Sequence, residues 1–439
     1  MLTPSLPRSL ADLLVAFAPC FTAPTMRTFQ ALVVGFLAQP GLHTVTGMLV
    51  GAGLAGRRHH DLAYRFFATA RWSADQLGLV LLDLITQVLV PPDAALLLAV
   101  DDTLWRRVGR KLHGTAWHHD GNGPGRHRPA WGHRWVVVGV IIRLPFLDRA
   151  VCLPILARLW IPGDPDHTPL ILARELVDLV TAHVGDRRVH LVGDAAYIGK
   201  PLRGLPAHVT VTARLRSDAA LYAPAPPRTG RPGRPRRKGD RLPELIVIAA
   251  MTCYRWTPTR VRCYGKTLDR EVLAIGCLWY GALGRQPVQV ILSRPIGAPD
   301  GYELALVTTD LAATPAQVIE RYADRWSAEQ AFLDARHLAG VGQARTRTER
   351  SVNRLVPFGL ACMSLAIVWY ARHGQPAHDL ATHRARAPWY RTKRTVSVAD
   401  MLAALRRCLL AAQYPHGHPD QHTLELFQDA LLTQLDPAA

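Results

Sequence analysis

Apolar positions change their period along this chain, and the changes mark its organisation. Leu32, Val33, Phe36 and Leu37 recur at helical spacing, and residues 79–90 repeat it until Pro91 and Pro92 stop the helix. Residues 1–92 therefore predict a helical N-terminal domain. Beyond Pro92 the pattern shortens. Residues 96–100 form a continuous apolar run, as a strand covered on both faces requires. Residues 135–142 and 150–155 predict two more strands, 168–183 an amphipathic helix, and 189–192 and 209–213 a fourth and a fifth strand. This α/β order over 95–216 fits a mixed five-stranded sheet that begins with a meander.

Residues 217–243 read as a linker rich in Pro, Gly and Arg, with almost no apolar content. Strand character returns over 244–308, at 245–249, 261–264, 271–275, 287–292 and 303–308, which predicts a β-rich insertion. Helical periodicity resumes at 314–337 and 351–372, so 309–375 complete the α/β unit. A last helix, 398–410, lies in a basic C-terminal region, 376–439.

Composition narrows the partner. Lys and Arg number 52 against 34 Asp and Glu, a net charge of +18, and 49% of residues are hydrophobic. That excludes a disordered chain and favours contact with a polyanion. The longest apolar runs, such as 135–142 and 359–370, stop short of the ~20 residues a bilayer needs, so no membrane partner is expected. Seven scattered cysteines without a CxxC pair argue against a zinc ribbon or a disulfide framework and for a reducing, cytoplasmic setting. Asp12 interrupts the only stretch that resembles a signal peptide.

Three acids carry the candidate chemistry. Asp101-Asp102-Thr103 lies where the first apolar run ends, and Asp194 ends the fourth, in the context Gly193-Asp194-Ala-Ala-Tyr197. Ligands and metals gather at such strand ends. Within the helical pattern of 314–337, Tyr322, Arg325, Glu329 and Arg336 fall on one face, with Trp326 interleaved. Three carboxylates can hold two divalent cations that clamp an in-line phosphodiester displacement. Successive strand residues point to opposite faces, so only one of Asp101 and Asp102 can meet those cations.

The order Asp, Asp, Glu, with Tyr-x2-Arg-x3-Glu-x6-Arg around the glutamate, resembles the DDE transposases of bacterial insertion sequences, in the branch with a Tyr-Arg-Glu-Lys signature. The resemblance implies that Asp102, Asp194 and Glu329 are catalytic and bind two Mg²⁺ ions, with Mn²⁺ as a substitute. It gives Tyr322 and Arg325 catalytic roles beside them and places Arg336 at the Lys position, facing DNA with a planar fork in place of an ammonium. Asp101 is then left to pair with Arg106 or Arg107. The fold implied is an RNase H-like mixed five-stranded sheet with flanking helices, interrupted by the β-rich insertion. The activity implied is cleavage at element ends and strand transfer into target DNA, by a homodimer bound to terminal inverted repeats in a bacterial cytoplasm, at the nucleoid.

Basic segments add a DNA-binding set. Arg231, Arg234, Arg236, Arg237 and Lys238 lie in an Arg-Pro run that resembles an AT-hook, suited to a narrow minor groove. Arg106 and Arg107 flank the first acid pair, and Trp326 offers a stacking surface. His113, His118, His119 and Asp120 fit no standard zinc spacing. Trp256 and Trp279 are core residues or base-stacking residues. Two rival functions share the basic segments: a catalytically inactive DNA-binding or repressor protein, and an RNase H-like nuclease that hydrolyses without joining.

Overall fold

The computed structural model describes residues 6–39, 41–109, 111–121, 128–227, 235–298 and 300–413. Five helices come first: α1 (Arg8–Leu14), α2 (Ala23–Ala38), α3 (Val45–Gly51), α4 (Asp61–Ala68) and α5 (Ala74–Leu89). Ser73 caps α5 by accepting the Gln76 N–H, and Pro91 prevents its continuation. Then follow β1 (Leu96–Arg106), β2 (Ala116–His119), β3 (Pro129–Ile142), β4 (Val151–Trp160), α6 (Pro169–Val184), β5 (Val189–Gly193) and β6 (Val209–Arg214). The next stretch holds α7 (Leu245–Ala250), β7 (Thr257–Cys263), β8 (Lys266–Leu278), α8 (Tyr280–Leu283), β9 (Pro287–Pro295) and β10 (Leu304–Thr308). The chain closes with α9 (Pro315–Asp324), α10 (Trp326–His337), α11 (Glu349–His373), α12 (Pro376–Arg386) and α13 (Val398–Gln413).

All ten strands join one mixed sheet in the order β2-β3-β1-β5-β6-β10-β9-β8-β7, with β4 also paired to β3. β3 runs antiparallel to β1 and β4, whereas β5 lies parallel to β1 and β6 parallel to β5. β10 pairs with β6, so the strands expected as an insertion extend the first sheet. Helices α9, α10 and α11 lean on this sheet, and α10 touches β1, β3 and β4. α5 packs on β4 and α11, and the N-terminal helices share one buried cluster with the sheet. The approach is close: a Cβ at Gly78 of α5 would stand 2.1 Å from the Ile155 carbonyl oxygen. α11 is long and apolar enough to cross a membrane, yet 94% of its apolar window is buried inside the protein.

Three local expectations change. β1 does not end at Val100: its pairing with β3 continues to Arg106 opposite Gly132, so Asp101 and Asp102 sit mid-strand. Residues 245–249 fold as the helix α7, with Leu245, Ile248 and Ala249 buried on one side and Ile246 and Val247 exposed on the other. The helix expected over 314–337 is two helices that meet at Arg325. The described ends of the basic segment are held in place. Tyr222 bridges Arg241 and Leu278, and Lys238 Nζ stands 3.4 Å above the Tyr222 ring.

Candidate active site

Pleating decides which acid meets the helices. Along β1 the odd residues face α10: the Arg336 guanidinium donates to Thr103 Oγ1 at 3.2 Å and to the Leu104 carbonyl at 2.9 Å, and lies over the Trp105 ring. Asp101 shares that face, and Asp102, one residue on, takes the other. Arg325 sits at the α9–α10 junction and donates through Nη1 to Asp101 at 2.6 Å and through Nη2 to Glu329 at 2.9 Å. The structure thus links Asp101, not Asp102, to Glu329. Asp101 has neither Arg106 nor Arg107 as its partner. Arg106 binds Asp120 at 2.6 Å, and Arg107 binds His133 and the carbonyls of Gly342 and Ala344, tying the end of β1 to the loop before α11.

Asp194 completes the group. It follows β5, which is parallel to β1, and its Oδ1 accepts the Ala196 N–H at 2.7 Å in a tight turn. Burial, together with repulsion from the Asp194 and Asp102 charges, outweighs Arg325 and pushes the Asp101 carboxyl up to about 7. Tyr322 stands beside Arg325, its ring centroid 5.5 Å from the guanidinium carbon, within the fields of Arg214 and Asp194. Arg325 Nε is buried with no acceptor among the described residues. Four sequence candidates, Asp194, Tyr322, Arg325 and Glu329, therefore converge, together with the acid that the resemblance passed over.

Asp102 is held on the opposite face. Its Oδ1 accepts the Tyr197 hydroxyl at 2.7 Å and its Oδ2 accepts Arg134 Nε at 2.5 Å. Arg134, which the sequence offers only as one cation of a basic region flanking the first strand, is brought to Asp102 by the β1–β3 register, as the partner of Leu104. Tyr264 was given no role in the site. It forms the β7–β8 turn at φ 54 with Gly265 at φ 77, and the charges of Arg325 and Glu329 reach it.

The remaining candidates scatter. Arg336 points inward onto β1, so burial lowers its pKa and its fork is engaged before any DNA arrives. Trp326 is 42% exposed and lines a cleft with Arg143, Arg149, Arg262 and Tyr264. Arg236 and Arg237 are exposed, Lys238 caps the Tyr222 ring, and Arg231 and Arg234 lie outside the described residues. His118 is buried against Trp160 and gathers no metal-binding group among the described residues; Trp256 is bonded to the Ala249 carbonyl and covered by Arg294.

The donor set suits a hard divalent cation. Asp101, Asp194 and Glu329 offer only oxygen, and the guanidinium shared by Asp101 and Glu329 does not bring Asp101 back to the ordinary carboxylate range. Among the described residues, the trio whose ligand atoms already lie within 4.8 Å of one another is the exposed His59, His60 and Asp61. Asp101 and Glu329 are instead held apart on Arg325, with Asp194 near enough for its charge to act on Asp101.

Comparison with curated proteins finds no match. Among solved structures, the chain is similar to the piggyBac transposase of a cryo-EM synaptic complex with hairpin DNA, at 11% identity and TM-score 0.42, covering 96% of this chain and 80% of that one. The family described as DDE superfamily endonuclease matches residues 16–267, a span that holds Asp101, Asp102 and Asp194 and ends before Glu329. That match covers more than half of the sequence, and the chain belongs to the DDE superfamily endonuclease family.

Proposed function

We propose that this endonuclease is a transposase that cleaves DNA at the ends of its element and joins the freed 3′-hydroxyl to target DNA, acting as a homodimer on DNA. The observation that carries the reading is the bridge from Asp101 through Arg325 to Glu329, with Asp194 alongside. The strand order β4-β3-β1-β5-β6, antiparallel then parallel, supports an RNase H-like core. The net charge of +18 supports a polyanionic substrate.

Asp101, Asp194 and Glu329 would hold two Mg²⁺ ions, for which Mn²⁺ can stand in. When bound, these ions supply charge neutralisation at the phosphodiester and activation of the attacking oxygen. The chain does the rest. Arg325 orients Asp101 and Glu329, and Tyr322 fixes the guanidinium plane. Arg336 holds α10, and with it Glu329, at a set height above β1.

The test is incubation of the protein with DNA carrying the element ends, in Mg²⁺, with nicked and joined products separated on gels. Asp101→Asn and Glu329→Gln are expected to lose cleavage and joining together, by at least about 10³-fold. Undiminished nicking by either variant contradicts the assignment. Cleavage without joined product selects the nuclease that hydrolyses only, and metal-independent binding without cleavage selects the inactive DNA-binding protein.

A further inference from the structure

We infer that Asp102 is a positioning residue that fixes Asp194 relative to Asp101 by holding Tyr197 against the underside of β1. The inference rests on the reading that Asp101, Asp194 and Glu329 bind the cation. Asp102 points to the face away from Glu329, and donors already occupy both of its oxygens. One of those donors, Tyr197, lies three residues beyond Asp194 and is 1% exposed. The Tyr197 N–H bonds the Asp194 carbonyl at 3.2 Å and the Ala196 N–H bonds the Asp194 carboxylate, so the turn is stiff from Asp194 to the phenol. Its far end is then pinned to β1 one residue from Asp101.

Two further contacts belong to the same device. Gly193 ends β5 where a Cβ would meet Tyr197 Cβ at 2.7 Å and Val100 Cγ1 at 3.2 Å, so a side chain there would push the phenol off Asp102. Arg134 lies 5.4 Å from the Trp160 ring and balances the Asp102 charge, which a half-buried carboxylate requires. Burial and the Asp102 charge keep Tyr197 protonated and therefore a donor. The two adjacent aspartates thus divide the work: Asp101 faces the reaction and Asp102 holds the next acid in register.

The full-length protein and its Tyr197→Phe, Asp102→Asn and Asp101→Asn variants are titrated calorimetrically with Mn²⁺ alone, and their melting temperatures recorded. Tyr197→Phe removes one hydroxyl and keeps the ring, and it is expected to melt within about 4 °C of wild type. Tyr197→Phe and Asp102→Asn should keep the wild-type stoichiometry and bind Mn²⁺ about 10- to 100-fold more weakly. Their double variant should be no weaker than Asp102→Asn alone, because both changes break the same bond. Wild-type affinity in both single variants overturns the inference, as does loss of a Mn²⁺ equivalent in Asp102→Asn, which would make that residue a ligand. Failure of the underlying reading shows separately, as unchanged Mn²⁺ binding by Asp101→Asn.

Discussion

Arg325 reaches two carboxylates through separate amino groups, 2.6 Å to Asp101 and 2.9 Å to Glu329. A lysine supplies a single point charge and cannot span both. Arg325→Lys is therefore expected to slow cleavage of end-containing DNA by about 10- to 100-fold while leaving duplex binding in Ca²⁺ nearly unchanged. Equal loss of binding and cleavage would show instead that Arg325 serves general DNA affinity. At this scale the sequence was informative about residue types and silent about parity. Asp101 and Asp102 differ by one step along a strand, and that step selects opposite faces. Nothing in the local pattern says which face α10 covers; Thr103 under Arg336 supplies the answer only after folding.

Helix α5 meets β4 through Gly78, whose missing side chain lets the helix touch the Ile155 carbonyl. Gly78→Ala is expected to separate them and lower stability by about 1–3 kcal/mol, read as a shift in the urea midpoint. An unchanged midpoint would mean that the contact is loose. The elements themselves were legible where burial is continuous, as at β3, β5 and β6, whose centres match the apolar runs. Two errors have physical causes. β1 was cut short because acids and Thr103 interrupt its apolar run, although backbone pairing with β3 continues past them. α7 was read as a strand because its six residues, Leu-Ile-Val-Ile-Ala-Ala, are too few to separate a period of 2 from 3.6. The break at Arg325 was hidden for a different reason. Its backbone stays in the helical region and only the hydrogen bonds tighten, from the Arg325 N–H to the Tyr322 carbonyl and from the Ala328 N–H to the Arg325 carbonyl, so the side-chain period runs on across it.

Across the whole molecule, one sheet carries both the acids and the strands expected as an insertion, an arrangement that local periodicity cannot reveal because it depends on β10 lying beside β6. Buried imidazoles make this assembly sensitive to acid. Burial and a neighbouring arginine lower His133 to about 4 and His190 to about 3, and burial with Arg406 lowers His43 to about 4. His133 is fixed neutral, since one ring nitrogen accepts from Arg107 and the other donates to the His113 carbonyl. Depressed folded values mean that the unfolded chain takes up protons first as pH falls below about 6.5. Stability is thus complete above that pH and declines down to about 4, by about 1.4 kcal/mol per unit for each histidine. Asp101, at about 7, and Asp334, which burial raises to about 6, act in the opposite sense but are outnumbered. Urea midpoints should therefore fall between pH 6.5 and 4, and a flat profile would contradict this balance.

The convergence of Asp101, Asp194 and Glu329 is open to direct mapping. Fe²⁺ is loaded in place of Mg²⁺ on the full-length protein, and ascorbate with peroxide then generates radicals that cut the backbone beside the bound ion. The account predicts three cuts that appear together, near residues 101, 194 and 329, all suppressed by excess Mg²⁺ and all lost in Asp101→Asn. Cuts confined to one of these segments, or a full set that survives in Asp101→Asn, would contradict it.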